Sequence, residues 1–175
     1  MPELQLLEYL PSVPDFPKTG IVFRDICPLL ADAAAFAAAM DLMAERVQAW
    51  SFDYIVGIES RGLIFATALA TRLRRGLVLV RKPGKLPPPI LSERYDLEYG
   101  QDALEIQTRR LPSGASVLLV DDVIATGGTL LAAARLVEKC GASVEGALAL
   151  LALDKLGGAT LLRKAGLRVT SALNA

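Results

Sequence analysis

Apolar positions recur along this chain with two different periods, and the alternation between them predicts the architecture. Tyr54–Ile58, Leu77–Val80, Val117–Val120 and Ser143–Leu151 are dominated by apolar residues, as strands buried on both faces are. Leu63–Leu73 and Leu130–Lys139 carry helical patterns between them. From Asp32 to Trp50, the residues Phe36, Met40, Met43 and Val47 follow one another at spacings of four, three and four, which places them on one helical face. Glu3–Leu10 reads as a short helix closed by Pro11, Ala159–Lys164 as another, and Arg168–Ser171 as a last strand. The alanines at 33–35 and 37–39 read as helix-favouring filler. Strand alternating with helix predicts an α/β fold: a mostly parallel, twisted sheet flanked by helices on both faces.

Two segments break the rhythm. Pro11, Pro14, Pro17 and Gly20 punctuate an irregular stretch before Ile21-Val22-Phe23. Arg81–Leu91 holds four prolines and a glycine and reads as a loop. Ser92–Tyr99 and Ala103–Thr108 can then pair as an antiparallel excursion joined by Gly100-Gln101-Asp102. Projecting from a parallel sheet, this excursion (about residues 90–108) is a candidate flexible lid. No repeat, low-complexity tract or linker interrupts residues 1–175, which read as a single domain.

Composition narrows the class. At 175 residues, 53% apolar and 22% charged, the chain can bury a sizeable core. Nineteen basic residues balance nineteen acidic ones, so there is no surplus to neutralise a nucleic-acid backbone. Histidine is absent, which removes Ser-His and Cys-His catalysis and the usual zinc sites. Cys27 and Cys140 lack metal-ligand spacing and read as free thiols of a reducing compartment. The N-terminus has no basic start of a signal peptide, and the longest apolar stretch, Ala147–Leu153, is too short to span a bilayer. A cytoplasmic protein without membrane or nucleic-acid partners is expected.

Chemistry concentrates where the run Val117–Val120 meets Asp121-Asp122-Val123-Ile124-Ala125-Thr126-Gly127-Gly128-Thr129. The two glycines let backbone approach a ligand, the threonines add hydroxyls, and the following helix offers its N-terminal amides to a phosphate. Carboxylates repel phosphate but accept hydrogen bonds from sugar hydroxyls, so the pattern fits a sugar phosphate. A plain alternative is that the aspartates cap the helix and the glycines only turn the chain. The spacing matches neither the Gly-x-x-x-x-Gly-Lys-Ser/Thr loop nor Gly-x-Gly-x-x-Gly. In a parallel sheet, ligands sit beyond the carboxyl ends of the strands. That rule brings Glu59-Ser60-Arg61-Gly62, the cationic Arg81-Lys82-Pro83-Gly84-Lys85, the excursion and the acid pair to one crevice. Arg61 then supplies a second anion site, suited to a ligand with phosphates at both ends.

The acid pair with its Thr-Gly-Gly-Thr turn resembles the phosphoribosyl pyrophosphate motif of type I phosphoribosyltransferases. Asp15–Ile26, Gly57–Gly62, Arg81–Pro87 and Tyr95–Gly100 narrow the resemblance to the adenine phosphoribosyltransferases, in order from about residue 14 to 150. It implies the type I fold, with an N-terminal hood (about 1–30) ahead of the core (about 31–175). The activity implied is purine salvage: transfer of the phosphoribosyl group to adenine, giving AMP and pyrophosphate. By resemblance, Val22, Phe23 and Arg24 bind adenine. Arg61, Arg81, Lys82, Lys85, Tyr99, Asp121, Asp122, Ala125, Thr126, Gly127, Gly128 and Thr129 bind phosphoribosyl pyrophosphate or AMP, and Glu98 is the general acid/base. The cofactor implied is Mg²⁺, held mainly by substrate oxygens and water near Asp121 and Asp122, with no certain protein ligand. A homodimer is implied by analogy. An oxopurine-specific relative, or a catalytically silent sensor of phosphoribosyl pyrophosphate, are the alternatives. Thr19 and Pro88 depart from the commonest pattern, and Lys155 reads as a solvated lysine.

Overall fold

The computed structural model describes residues 3–96 and 101–175. They divide into two compact units, one up to Leu42 and one from Met43. In the first, α1 (Glu3–Glu8) stops before the expected Leu10. The Tyr9 and Leu10 amides instead turn back to the Leu6 and Leu7 carbonyls, at 3.1 and 3.0 Å. Pro11 disfavours helical backbone in the residue before it, which explains the early end.

The stretch read as irregular carries a ribbon: β1 (Ser12–Pro14) pairs antiparallel with β2 (Val22–Arg24), Val13 opposite Phe23. Pro14 conceals β1 in the sequence because it cannot donate to a ladder, yet a two-stranded ribbon has an outer edge where no donor is needed. Next come α2 (Cys27–Ala31) and α3 (Ala33–Arg46), separated by an extended Asp32 whose Oδ1 accepts the Ala35 amide at 2.9 Å. The expected helix to Trp50 thus ends at Arg46, followed by turns in which the Val47, Gln48 and Trp50 amides each bond three residues back. Ala35 and Ala39 are wholly buried, which corrects their reading as filler. Set four residues apart in line with Met43 and Val47, they lie on the buried face of the helix.

The second unit runs β3 (Tyr54–Ile58), α4 (Gly62–Leu73), β4 (Gly76–Arg81), β5 (Ile90–Asp96), β6 (Gln101–Gln107), β7 (Ser116–Ile124), α5 (Gly128–Lys139), β8 (Ser143–Ala152), α6 (Gly158–Lys164) and β9 (Val169–Asn174). The strands form one sheet in the order β5-β6-β4-β3-β7-β8-β9. β4, β3, β7, β8 and β9 are parallel, and β6 and β5 complete one edge antiparallel. Val56, Ile58, Val117 and Leu119 share a buried cluster with Leu130, Ala133, Leu136 and Val137 of α5. On the opposite face Gly57 meets α4 so closely that a Cβ there would stand 2.6 Å from that of Ala66. Helices therefore cover both faces, as the fully apolar strands require.

Two expectations shift. The excursion is not simply a projection, because β6 extends the sheet beside β4 through Val80–Ile106 and Arg81–Glu105 pairing. Glu93 of β5 is also ion-paired to Arg135 and Lys139 of α5. β7, moreover, does not end at the acid pair; it carries Asp121 and Asp122 inside it and continues to Ile124.

Candidate active site

The site lies where the direction of winding reverses. From β3 the chain moves outward to β4 and then returns to β7 on the other side of β3, so the loops after β3 and β7 diverge and leave a crevice. Pairing between β3 and β7 stops at Gly57–Val120, while β7 runs on beside β8. Asp121 is therefore level with Ile58, the last residue of β3, and Asp122 passes beyond it. They line a cavity of about 310 Å³ together with Ser60 and Arg61 from the loop after β3 and Ala125 and Thr129 from the turn after β7. Lys82 and Tyr95 also line it.

Both aspartates are buried, at 8% and 6% exposure. Asp122 Oδ2 stands 2.8 Å from Arg61 Nε, so Arg61 ties the loop after β3 to β7. Asp121 Oδ1 accepts the Asp122 amide at 2.9 Å. Burial first, and then the adjacent Asp122 carboxylate, push the Asp121 carboxyl well above its ordinary range. A glycine is required at position 62 because a Cβ there would sit 2.6 Å from Asp121 Oδ1.

The raised Asp121 value has a stability consequence. A carboxyl whose folded-state value exceeds its unfolded one stabilises the protein fully below the unfolded value, and that stabilisation is lost as pH rises through the folded value. Asp121→Asn keeps an oxygen for the Asp122 amide and removes the charge. It should raise stability in the neutral range, where the parent must keep that carboxylate charged and buried. The gain over the parent should be larger at pH 8 than at pH 5 in thermal melts, and a gain that shrinks with pH would refute the assignment.

The turn after β7 is shaped by distant glycine. Gly127 adopts the left-handed conformation (φ 87°) as the N-cap of α5, and no side chain caps the helix. The first-turn amides of α5 lack partners within their own helix and open toward the turn. Gly158, at the start of α6, presses on this backbone: its amide donates to the Ala125 carbonyl at 3.0 Å. A Cβ on it would lie 2.2 Å from that oxygen and 2.7 Å from the Gly127 nitrogen. Sequence reasoning overlooked Gly158; the Gly157-Gly158 pair opening a helix was the available signal.

Carboxylates shape the cationic loop after β4. Glu59 receives Arg81 through both oxygens, each at 3.1 Å, and the Lys82 amide at 2.9 Å. Burial alone would raise the Glu59 carboxyl, but the Lys82 amide and the Arg81 guanidinium outweigh it and hold it below its ordinary value. Arg81 also donates to the Lys85 carbonyl at 3.0 Å, and the buried Glu105 accepts the Gly84 amide at 3.0 Å. Arg81 thus acts within the loop as a brace, while the Lys85 side chain is exposed. The sequence marks Glu59 only as part of the loop after β3 and does not mark Glu105, because a carboxylate beside a basic loop looks solvated.

In the first unit, the Phe23 ring meets Phe16 edge-on at 5.1 Å between centroids, Val22 is exposed, and Arg24 Nη1 donates to the Leu10 carbonyl at 3.2 Å. Glu98 and Tyr99 lie outside the described residues. Thr126 and Lys155 are exposed, and Gly128 opens α5.

Comparison with known proteins agrees with this layout. The family model for the phosphoribosyl transferase domain matches residues 28–171. An adenine phosphoribosyltransferase of Polynucleobacter necessarius subsp. necessarius is 51% identical over 170 residues, covering 97% of this chain and 99% of the relative. The solved structure of adenine phosphoribosyltransferase from Thermoanaerobacter pseudethanolicus superposes with a TM-score of 0.96 at 42% identity, covering 99% of this chain and 100% of that one. The Saccharomyces cerevisiae adenine phosphoribosyltransferase, solved with D-2,5-dideoxy-2,5-imino-altritol 1,6-bisphosphate and adenine, gives 0.89 at 38% identity over 98% of each chain. With a phosphate-type turn, an acid pair and a braced cationic loop around one crevice, and relatives matched along nearly its whole length, the chain belongs to the adenine phosphoribosyltransferases.

Proposed function

We propose that this protein is a purine-salvage transferase that moves the 5-phosphoribosyl group from phosphoribosyl pyrophosphate to adenine, releasing pyrophosphate and AMP. One observation carries the reading: the uncapped N-terminus of α5 and the buried acid pair share one cavity with Arg61 and Lys82. Amides of the Gly127–Thr129 turn hold the 5′-phosphate, supported by the Thr126 and Thr129 hydroxyls. Asp122, with Asp121 beneath it, accepts from the ribose hydroxyls. Lys82, Arg61 and the amides of the two loops take up charge that gathers on the pyrophosphate as it leaves. Val22, Phe23 and Arg24 hold the purine, with Phe23 stacked on it. Glu98 manages the proton on the purine ring.

The donor set suits a Mg²⁺ ion carried mainly by substrate oxygens and water. Among the described residues no three acids, cysteines or histidines gather as a metal cage, and the paired Asp121 and Asp122 offer at most a partial shell. Bound there, Mg²⁺ would supply neutralisation of pyrophosphate charge. A homodimer and a cytoplasmic location complete the proposal. They draw on family analogy and the balanced charge, and no described helix is long and apolar enough to cross a membrane.

A base panel tests the specificity. With phosphoribosyl pyrophosphate and Mg²⁺, adenine should be consumed and AMP formed, while hypoxanthine, guanine and xanthine remain. Turnover of an oxopurine with adenine inert would overturn the assignment of the base.

A further inference from the structure

Lys82 is already engaged by an anion of the protein itself. Its ammonium is ion-paired to Asp102 and donates to the Tyr95 hydroxyl at 3.2 Å, and that hydroxyl donates in turn to Asp102 Oδ2 at 3.3 Å. Tyr95 and Asp102 face each other across the β5–β6 ladder, so sheet pairing fixes the arrangement. Tyr95 is buried and its ring lies 5.7 Å from the ammonium. Lys82 and Tyr95 line the cavity of the acid pair, whereas Asp102 opens with Pro83 and Arg94 on a neighbouring recess of about 350 Å³. The ion pair thus joins a residue of one to a residue of the other.

We propose that Asp102 competes with the pyrophosphate group for the Lys82 ammonium and so sets the affinity of the site for that group. An ammonium has three donors, and Tyr95 and Asp102 occupy two of them. A pyrophosphate approaching Lys82 must either displace Asp102 or sit beside a like charge, and both weaken its binding. The same competition favours departure of the product, because Asp102 recaptures the ammonium as pyrophosphate leaves. Asp102 touches no reacting atom and is a positioning residue. Burial works against the charge on Lys82, yet Asp102 and Tyr95 together raise its value, in keeping with a tightly held ammonium.

This inference rests on reading the cavity as a pyrophosphate site, and titration calorimetry with sodium pyrophosphate and with phosphoribosyl pyrophosphate separates the two. Asp102→Asn should bind both about fivefold more tightly at low salt, the upper range for one partly exposed ion pair. The gain should shrink at high salt and be absent when Lys82→Met is already in place. Asp102→Glu, which keeps the charge, should bind as the parent does. Unchanged or weaker binding by Asp102→Asn overturns the competition, as does an equal gain in the Lys82→Met background or in Asp102→Glu. Failure of the parent protein to bind either compound overturns the reading of the cavity as well.

Discussion

Gly158→Ala should abolish most of the activity, although alanine is the better helix former and position 158 opens a helix. The added methyl has no room to move into. Its neighbours are the Ala125 carbonyl oxygen at 2.2 Å, the Gly127 nitrogen at 2.7 Å and the Thr126 carbonyl carbon at 2.8 Å, all main-chain atoms. No side chain can rotate aside, so the turn itself must shift. Overpacking of this kind costs about 1–3 kcal/mol, and a displacement near 1 Å in a positioning element costs about a hundredfold in rate. Gly157→Ala is the control. It has positive φ (72°) but nothing within 4 Å of the added carbon, so it should cost about 1 kcal/mol from backbone strain alone. Steady-state kinetics and thermal melts on both variants check this. Wild-type turnover in Gly158→Ala would mean that the turn is not where the 5′-phosphate is held.

Glu98→Ala should lower kcat by about two to four orders of magnitude, the usual yield of a positioned acid/base group, with little change in binding of phosphoribosyl pyrophosphate. The split follows from the division of labour in the proposal. In the proposal the sugar phosphate is held by the turn after β7 and by the braced loops after β3 and β4, none of which contains Glu98. The proton on the purine changes only as the new bond forms, so a group serving that proton acts on the transition state rather than on the bound substrate. Kinetics with adenine and calorimetry with phosphoribosyl pyrophosphate separate the two quantities. Parallel losses in rate and binding would make Glu98 a structural carboxylate.

The outer parts of the molecule show where reading a sequence loses resolution. β1 was hidden by Pro14, because its strand depends on pairing with β2, and α2 was not read at all, whereas the helix expected from Asp32 begins where Asp32 caps it. β5 and β6 were visible as a hairpin, but their place at the sheet edge depends on pairing with β4, which nothing in the hairpin's own pattern encodes. The acid pair was read at the end of a strand, since two charges close an apolar run. β7 continues through them because β8 supplies its ladder as far as Ala152.

The alternation of apolar runs and helical faces determined the α/β class. The order of motifs likewise determined which segments could carry chemistry: Asp121 to Thr129, Glu59 to Gly62 and Arg81 to Lys85. These are local properties, because periodicity, glycine freedom and charge are written in consecutive residues. Tertiary structure alone decided that Gly158 would press on the turn, that Glu59 and Glu105 would brace the cationic loop, and that Asp102 would hold Lys82. It also raised the Asp121 carboxyl. Each of these depends on desolvation or on a partner distant in the chain, and neither is present until the sheet has assembled.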